Sequence, residues 1–103
     1  LANIVHVTGT LNSGNASDVV FTNQTGRLKV HSFSIYGAGD LNAVVELIVE
    51  ATTTIALLRN APVGAFIQSQ TILELDLTTD DATVECAGLA GNINYDIIYA
   101  ITP

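Results

Sequence analysis

"GNINYDIIYAITP", residues 91–103, is the stretch whose reading decides the fold. Ile93, Tyr95, Ile97, Tyr99 and Ile101 fall on every second position, with Asn92, Asn94 and Asp96 between them. A period of two marks a β-strand with one apolar and one polar face. Burying a large apolar side chain is worth ~1.5–3 kcal/mol, so five on one face amount to roughly 10 kcal/mol of gross burial. That is on the scale of a whole domain's net stability, ~5–15 kcal/mol. The C-terminal strand is therefore expected in the middle of the core, and it carries no group suited to chemistry.

The same alternation runs outward from this strand through the rest of the chain. "QTILELDLTTDD" (70–81) sets Leu73, Leu75 and Leu77 against Glu74 and Asp76, and "ATVECAGL" (82–89) follows with Val84 and Cys86 in phase. Leu73, Leu75, Leu77, Val84, Tyr95, Ile97 and Tyr99 are the expected core. In "LNAVVELIVEA" (41–51), Val45, Leu47 and Val49 share one face, while Val44 and Ile48 lie with Glu46 and Glu50 on the other. Glu and Leu suit a helix, but the Val-rich body and Thr52–Thr54 favour a strand. "TTIALLRN" (53–60) reads as a short strand ended near Pro62.

Upstream, "NIVHVTGTL" (3–11) alternates and is followed by the turn-forming "NSGNAS". "DVVFTN" (18–23) is expected to turn at "NQTGR", where Gly26 can take a positive φ, into an antiparallel neighbour "RLKVHSFSIYG" (27–37). The apolar phase slips between Val30 and Phe33, which predicts a β-bulge or a residue pair serving both faces. The sum is an all-β chain of about eight antiparallel strands in a jelly-roll-like β-sandwich. Its 103 residues, without repeat or linker, make one domain, 1–103.

Composition narrows the function. Ten acidic residues against Arg27, Lys29 and Arg59 give a net charge of −7, which opposes binding to nucleic acid or to anionic membranes. No apolar run approaches the ~20 residues of a spanning helix. "LANIVHVTG" has no basic residue ahead of its apolar positions and is not expected to be an intact signal peptide; the absence of an initiator Met suggests processing. Cys86 is the only cysteine, so no intrachain disulfide forms. With Glu85 beside it, it reads as a small buried hydrophobe and not as a reactive thiol.

Groups suited to chemistry are few. His6 and His31 lack metal-ligand or triad spacing, and no G-x-S-x-G elbow is present. Asp80 and Asp81 could offer oxygens to a Ca²⁺ ion with a third carboxylate, Asp40 or Asp18, but such a site needs about six, so turn chemistry is the expected role. Asn15-Ala16-Ser17 and Asn23-Gln24-Thr25 match the glycosylation sequon, a pattern that arises often by chance. With no Trp, and with Tyr95 and Tyr99 on the inward phase, a carbohydrate-binding reading stays open without support from the sequence. No catalytic residue, cofactor or metal is assigned, and the chain is expected not to be an enzyme.

"VVFTNQTGRLKVHSFSIYGAGD" (19–40) and the ending "ATVECAGLAGNINYDIIYAITP" (82–103) resemble the small β-sandwich capsid decoration (cement) proteins of tailed bacteriophages. The resemblance rests on pattern and turn placement over most of the chain. It implies a virion protein on the outer capsid surface that assembles as a trimer and reinforces the major capsid protein. A receptor-binding or glycan-binding module of a phage tail or fibre shares the same look and is the alternative. A composition that is 49% hydrophobic and 13% charged agrees with self-association. Val44, Ile48, Leu58 and Ile98, with Ala100, sit opposite their strands' main apolar face and are the candidate oligomer interface, since surplus apolar surface is normally covered between copies in closed symmetry.

Overall fold

The computed structural model describes residues 3–36, 44–49, 53–59, 66–68, 73–87 and 91–103, and gives side chains for these except at 53–59, 66–68, Leu73 and Ala87. Among the described residues the alternating runs form seven strands: β1 (Ile4–Leu11), β2 (Ser17–Tyr36), β3 (Val44–Val49), β4 (Thr53–Arg59), β5 (Phe66–Gln68), β6 (Leu73–Ala87) and β7 (Ile93–Thr102). All pair antiparallel in one sheet of order β1-β7-β2-β6-β3-β4, with β5 added beside β2.

The count differs from the expected eight for a physical reason. "DVVFTN" and "RLKVHSFSIYG" are one 20-residue strand, and "ELDLTTDD" runs into "ATVECA" as one strand of 15. The expected turn at "NQTGR" is thus corrected: it is a bend inside β2 and joins no hairpin. β5 is a short strand that the alternation did not announce.

Neither long strand can be straight. At about 3.3 Å per residue, β2 would extend roughly 65 Å, whereas the longest dimension of the molecule is 39 Å. The elbow in β2 lies where Asn23 (φ 51°) and Gly26 (φ 121°) leave the β region and the register with β6 shifts. Thr79 of β6, at φ 113°, bends with it. Two carboxylates hold the elbow: Asp81 accepts the Asn23 amide at 2.8 Å and Asp80 the Thr78 amide at 2.8 Å. Gly26 keeps the glycine requirement even though the turn is absent, because any Cβ there would collide with the Thr102 carbonyl of the neighbouring strand.

The elbow divides the sheet into two halves that close on each other. In the first half, β1, β7 and the C-terminal part of β2 (with β5 and the start of β6) point Leu11, Ile93, Ile97, Phe33 and Ile35 inward. In the second, the start of β2, the end of β6, β3 and β4 supply Phe21, Val84, Cys86, Val45, Leu47 and Val49. The Phe21 and Tyr99 rings meet with centroids 5.4 Å apart. Tyr99 pairs with Val30, nine positions after Phe21, so only a folded-back β2 brings them together.

Of the expected core, Leu77, Val84, Tyr95, Ile97 and Tyr99 are buried and Leu75 is partly buried against them; the Leu73 side chain lies outside those described. In β6 the inward phase changes from Leu77 to Ala82, Val84 and Cys86 across the Thr79 bend. The slip between Val30 and Phe33 is a bulge at His31, where the register with β7 jumps from Val30↔Tyr99 to Ser32↔Ile98.

Candidate functional site on the outer face of β1, β7 and β2

Because opposed residues in a ladder point to the same side, the sheet order assembles polar rows on the outer face of the first half. Thr10, Asn94 and Tyr36 form one row, and Thr8, Asp96 and Ser34 the next. His6, Ile98 and Ser32 make the third. The Thr10 hydroxyl donates to Asn94 Oδ1 at 2.7 Å, and His6 Nε2 donates to Asp96 Oδ1 at 2.7 Å. A cleft of about 210 Å³ opens here, lined by Thr8, Gly9, Thr10, Tyr36, Asn94, Tyr95 and Asp96. Tyr36 stands at its side with half of its surface exposed, whereas Ser34, opposite Asp96, is buried.

The cleft has a rigid back wall. Gly9 lies under the Tyr95 ring, which occupies the space a Cβ would need. That clearance lets Tyr95 cross to the second half-sheet, where its hydroxyl donates to Asp18 Oδ2 at 2.7 Å. Asn15 donates to the other Asp18 oxygen at 2.7 Å and to the Thr10 carbonyl at 3.3 Å. The connection from β1 to β2 is the expected turn: Asn12 and Asn15 exchange backbone hydrogen bonds, and Asn12 Oδ1 accepts the Gly14 and Asn15 amides. Burial first, and the bond to Asp18 second, raise the Tyr95 phenol well above its ordinary pKa; burial alone raises that of Tyr99.

Further along this face, Arg27 donates to Asp76 at 2.7 Å and to Glu74 at 2.9 Å, and Lys29 approaches Glu74 at 3.5 Å. Arg27 holds the Glu74 carboxyl below the usual carboxylate range, and the two acids raise the guanidinium in turn.

The residues singled out from sequence are placed as follows. Val44 and Ile48 are half-buried on the outer face of the second half-sheet, whereas Ile98 is half-buried on the outer face of the first. Leu58 pairs with Val45 in β4, and its side chain lies outside those described. The candidates are therefore divided between two faces, and Ala100, expected beside Ile98 on the surface, is buried. Two residues join Val44 and Ile48: exposed Val19 lies across Thr83 from Ile48, so Val19, Thr83 and Ile48 form one row. His31 is exposed at the bulge and Cys86 is buried. Asp80 and Asp81 serve the elbow and Asp18 serves Tyr95, while Asp40 lies outside the described residues. Among the described residues no group of three or more His, Cys, Asp or Glu side chains is placed to hold a metal ion.

Sequence reading missed Tyr36, the His6–Asp96 pair and Val19. The signal for Tyr36 was present: Phe33 and Ile35 point inward, which turns Ser34 and Tyr36 outward. The cleft as a whole offers hydroxyl, amide and carboxylate groups in fixed rows beside an aromatic ring, an arrangement suited to binding.

No family model matches the chain, and no curated protein matches it. Solved structures similar in fold include the NLP core of Drosophila, described in terms of pentamer formation and histone binding. It shares 14% identity over 91% of this chain and 96% of that one, with a TM-score of 0.57. The C-terminal CBM6 of LamC, a marine laminarinase from Zobellia galactanivorans, shares 12% identity over 93% of this chain and 100% of that one, with a TM-score of 0.52. At these identities the likeness shows the fold alone. Infectious bursal disease virus Gx strain gives 7% identity over 99% of this chain and 39% of that one; its TM-score of 0.31 carries no argument.

Proposed function

We propose that this chain is a non-enzymatic virion structural protein, a jelly-roll-like β-sandwich that self-associates and binds the major capsid protein on the outer capsid surface. The observation that carries the reading is the apolar row on the outer face of the second half-sheet. Val19 is 62% exposed there and shares its row with half-buried Ile48 across Thr83, while half-buried Val44 lies two rows along, beyond the row in which Glu46 faces Glu85. Exposed apolar side chains that adjoin one another mark interaction sites, and copies of one chain normally cover such surface in closed symmetry. Few cations are available to build a charged contact, since Arg27 and Lys29 are engaged with Glu74 and Asp76 on the opposite face.

The trimer comes from the sequence resemblance to decoration proteins. The NLP core, a chain of similar fold, is described in terms of pentamer formation, an assembly of another order. A cryo-EM map of the particle that carries this chain tests the reading. Density for the domain on the outer head shell, in contact with major capsid protein, is expected. Density on the tail or on a fibre would replace it with the receptor-binding alternative.

A further inference from the structure

We infer that the cleft between Tyr36 and the Thr8–Asp96 row is a binding site for a neutral saccharide. This reading does not depend on the assembly role, because the cleft and the apolar row occupy opposite outer faces and can be engaged together.

The chemistry of the lining selects the ligand. Sugar rings present polarised C–H groups on one face and hydroxyls around the rim. The negative face of an aromatic ring suits the first, and Tyr36 is 50% exposed at the side of the cleft. Groups that both donate and accept suit the second. Thr8 and Thr10 supply hydroxyls; Asn94 accepts from Thr10 through Oδ1, which leaves its amide hydrogens to donate outward. Asp96 takes His6 on Oδ1 and offers Oδ2 as an acceptor.

Charge and size narrow the class. Asp96 in the cleft and a net charge of −7 disfavour sialylated, sulfated or uronic sugars, so the ligand is neutral. A cavity of about 210 Å³ is smaller than the ~300–1,000 Å³ of sites that enclose a drug-sized molecule. One ring of a longer glycan is the fitting occupant. The lining sits on paired strands braced by Tyr95 and Asp18, so little ordering is required on binding.

The test is an array of neutral hexose and N-acetylhexosamine oligosaccharides printed beside sialylated and sulfated ones, followed by calorimetry with the strongest neutral binder. Amide shift mapping with the same oligosaccharide locates the site. Binding of neutral glycans is expected, with shifts at Tyr36, Asn94 and Asp96. Tyr36→Ala is expected to weaken binding about tenfold and Tyr36→Phe by less than about threefold, because the ring supplies the contact. Asp96→Asn keeps the shape of the cleft and is expected to weaken the neutral ligand while relieving exclusion of acidic ones; it serves if Tyr36→Ala fails to fold. No glycan signal, binding of anionic glycans alone, shifts elsewhere on the surface, or affinity unchanged in both Tyr36→Ala and Asp96→Asn would each overturn the inference.

Discussion

The two outer faces of this protein are built on the same alternation and are held together differently. On β1, β7 and the C-terminal part of β2, outward residues are knit across strands: His6 to Asp96, Thr10 to Asn94, Arg27 to Asp76 and Glu74. On the start of β2, the end of β6 and β3, the corresponding row is Val19, Thr83 and Ile48. Both faces share one core, so core burial does not distinguish them. What distinguishes them is the residue type placed at the second position of each period. The first face is cross-linked around an exposed Ile4, and the second sets the exposed Val19 beside a row in which Glu46 faces Glu85.

That comparison exists only while the core holds both halves together, and the largest effect comes from breaking it. Ile97 is fully buried in the middle of β7. Ile97→Asp places an unpaired carboxylate in the core at a cost of several kcal/mol, and no soluble folded protein is expected on expression. A variant that purified with an unchanged Tm would show that β7 is not the centre of the fold.

The elbow that separates the faces comes next. Gly26→Val puts a β-branched residue at φ 121° and drives its Cβ into the Thr102 carbonyl. A loss of about 3 kcal/mol is expected in denaturant unfolding. Stability equal to the parent would mean that β2 does not bend at this residue.

Tyr95 ties the halves from inside. Tyr95→Phe removes the donor to Asp18, and a loss of about 1.5 kcal/mol is expected. The raised phenol also gives a pH signature. Above pH ~10 the unfolded tyrosine loses its proton while the folded one keeps it, so the folded state binds more protons and stability falls as pH rises further. Thermal melts from pH 8 to pH 11.5 should show that decline, and it should be shallower in Tyr95→Phe, with Tyr99 supplying the remainder. Parallel declines in the two proteins would contradict the assignment.

The smallest effect is expected on the knit face itself. Arg27 and Glu74 are surface groups in a solvent-screened pair, so Arg27→Ala should leave Tm without measurable change. A large drop would show that the ion ladder, and not the core, fixes this half of the sheet.

Much of the architecture was legible because it depends on local periodicity. β3 alternates throughout and β7 as far as Tyr99, where buried Ala100 breaks the phase, and their inward sets, Ile93 to Tyr99 and Val45 to Val49, are buried as read. The bulge at His31 was visible as a slip of phase. The elbow was not legible as an elbow. Asn23-Gln-Thr-Gly26 has the composition of a hairpin turn, and what makes it a bend is distant: Thr102 packed on Gly26, and Thr79 bending in the paired strand. The cleft failed for a similar reason. Tyr36 could be turned outward from its neighbours' phase, but His6 and Asp96 lie 90 positions apart. Only the order β1-β7-β2 makes them a pair.

Sedimentation velocity at micromolar concentration, in low salt and in 1 M NaCl, tests the central proposal, that the Val19–Ile48 row is covered by another copy. About 1 M salt shortens the screening length to about 3 Å and would weaken a charge-driven contact, whereas an aliphatic one persists. The account predicts a discrete oligomer in both conditions, converted to monomer by Val19→Lys or Ile48→Lys with the fold intact by circular dichroism. A parent protein that is monomeric in both conditions would contradict it.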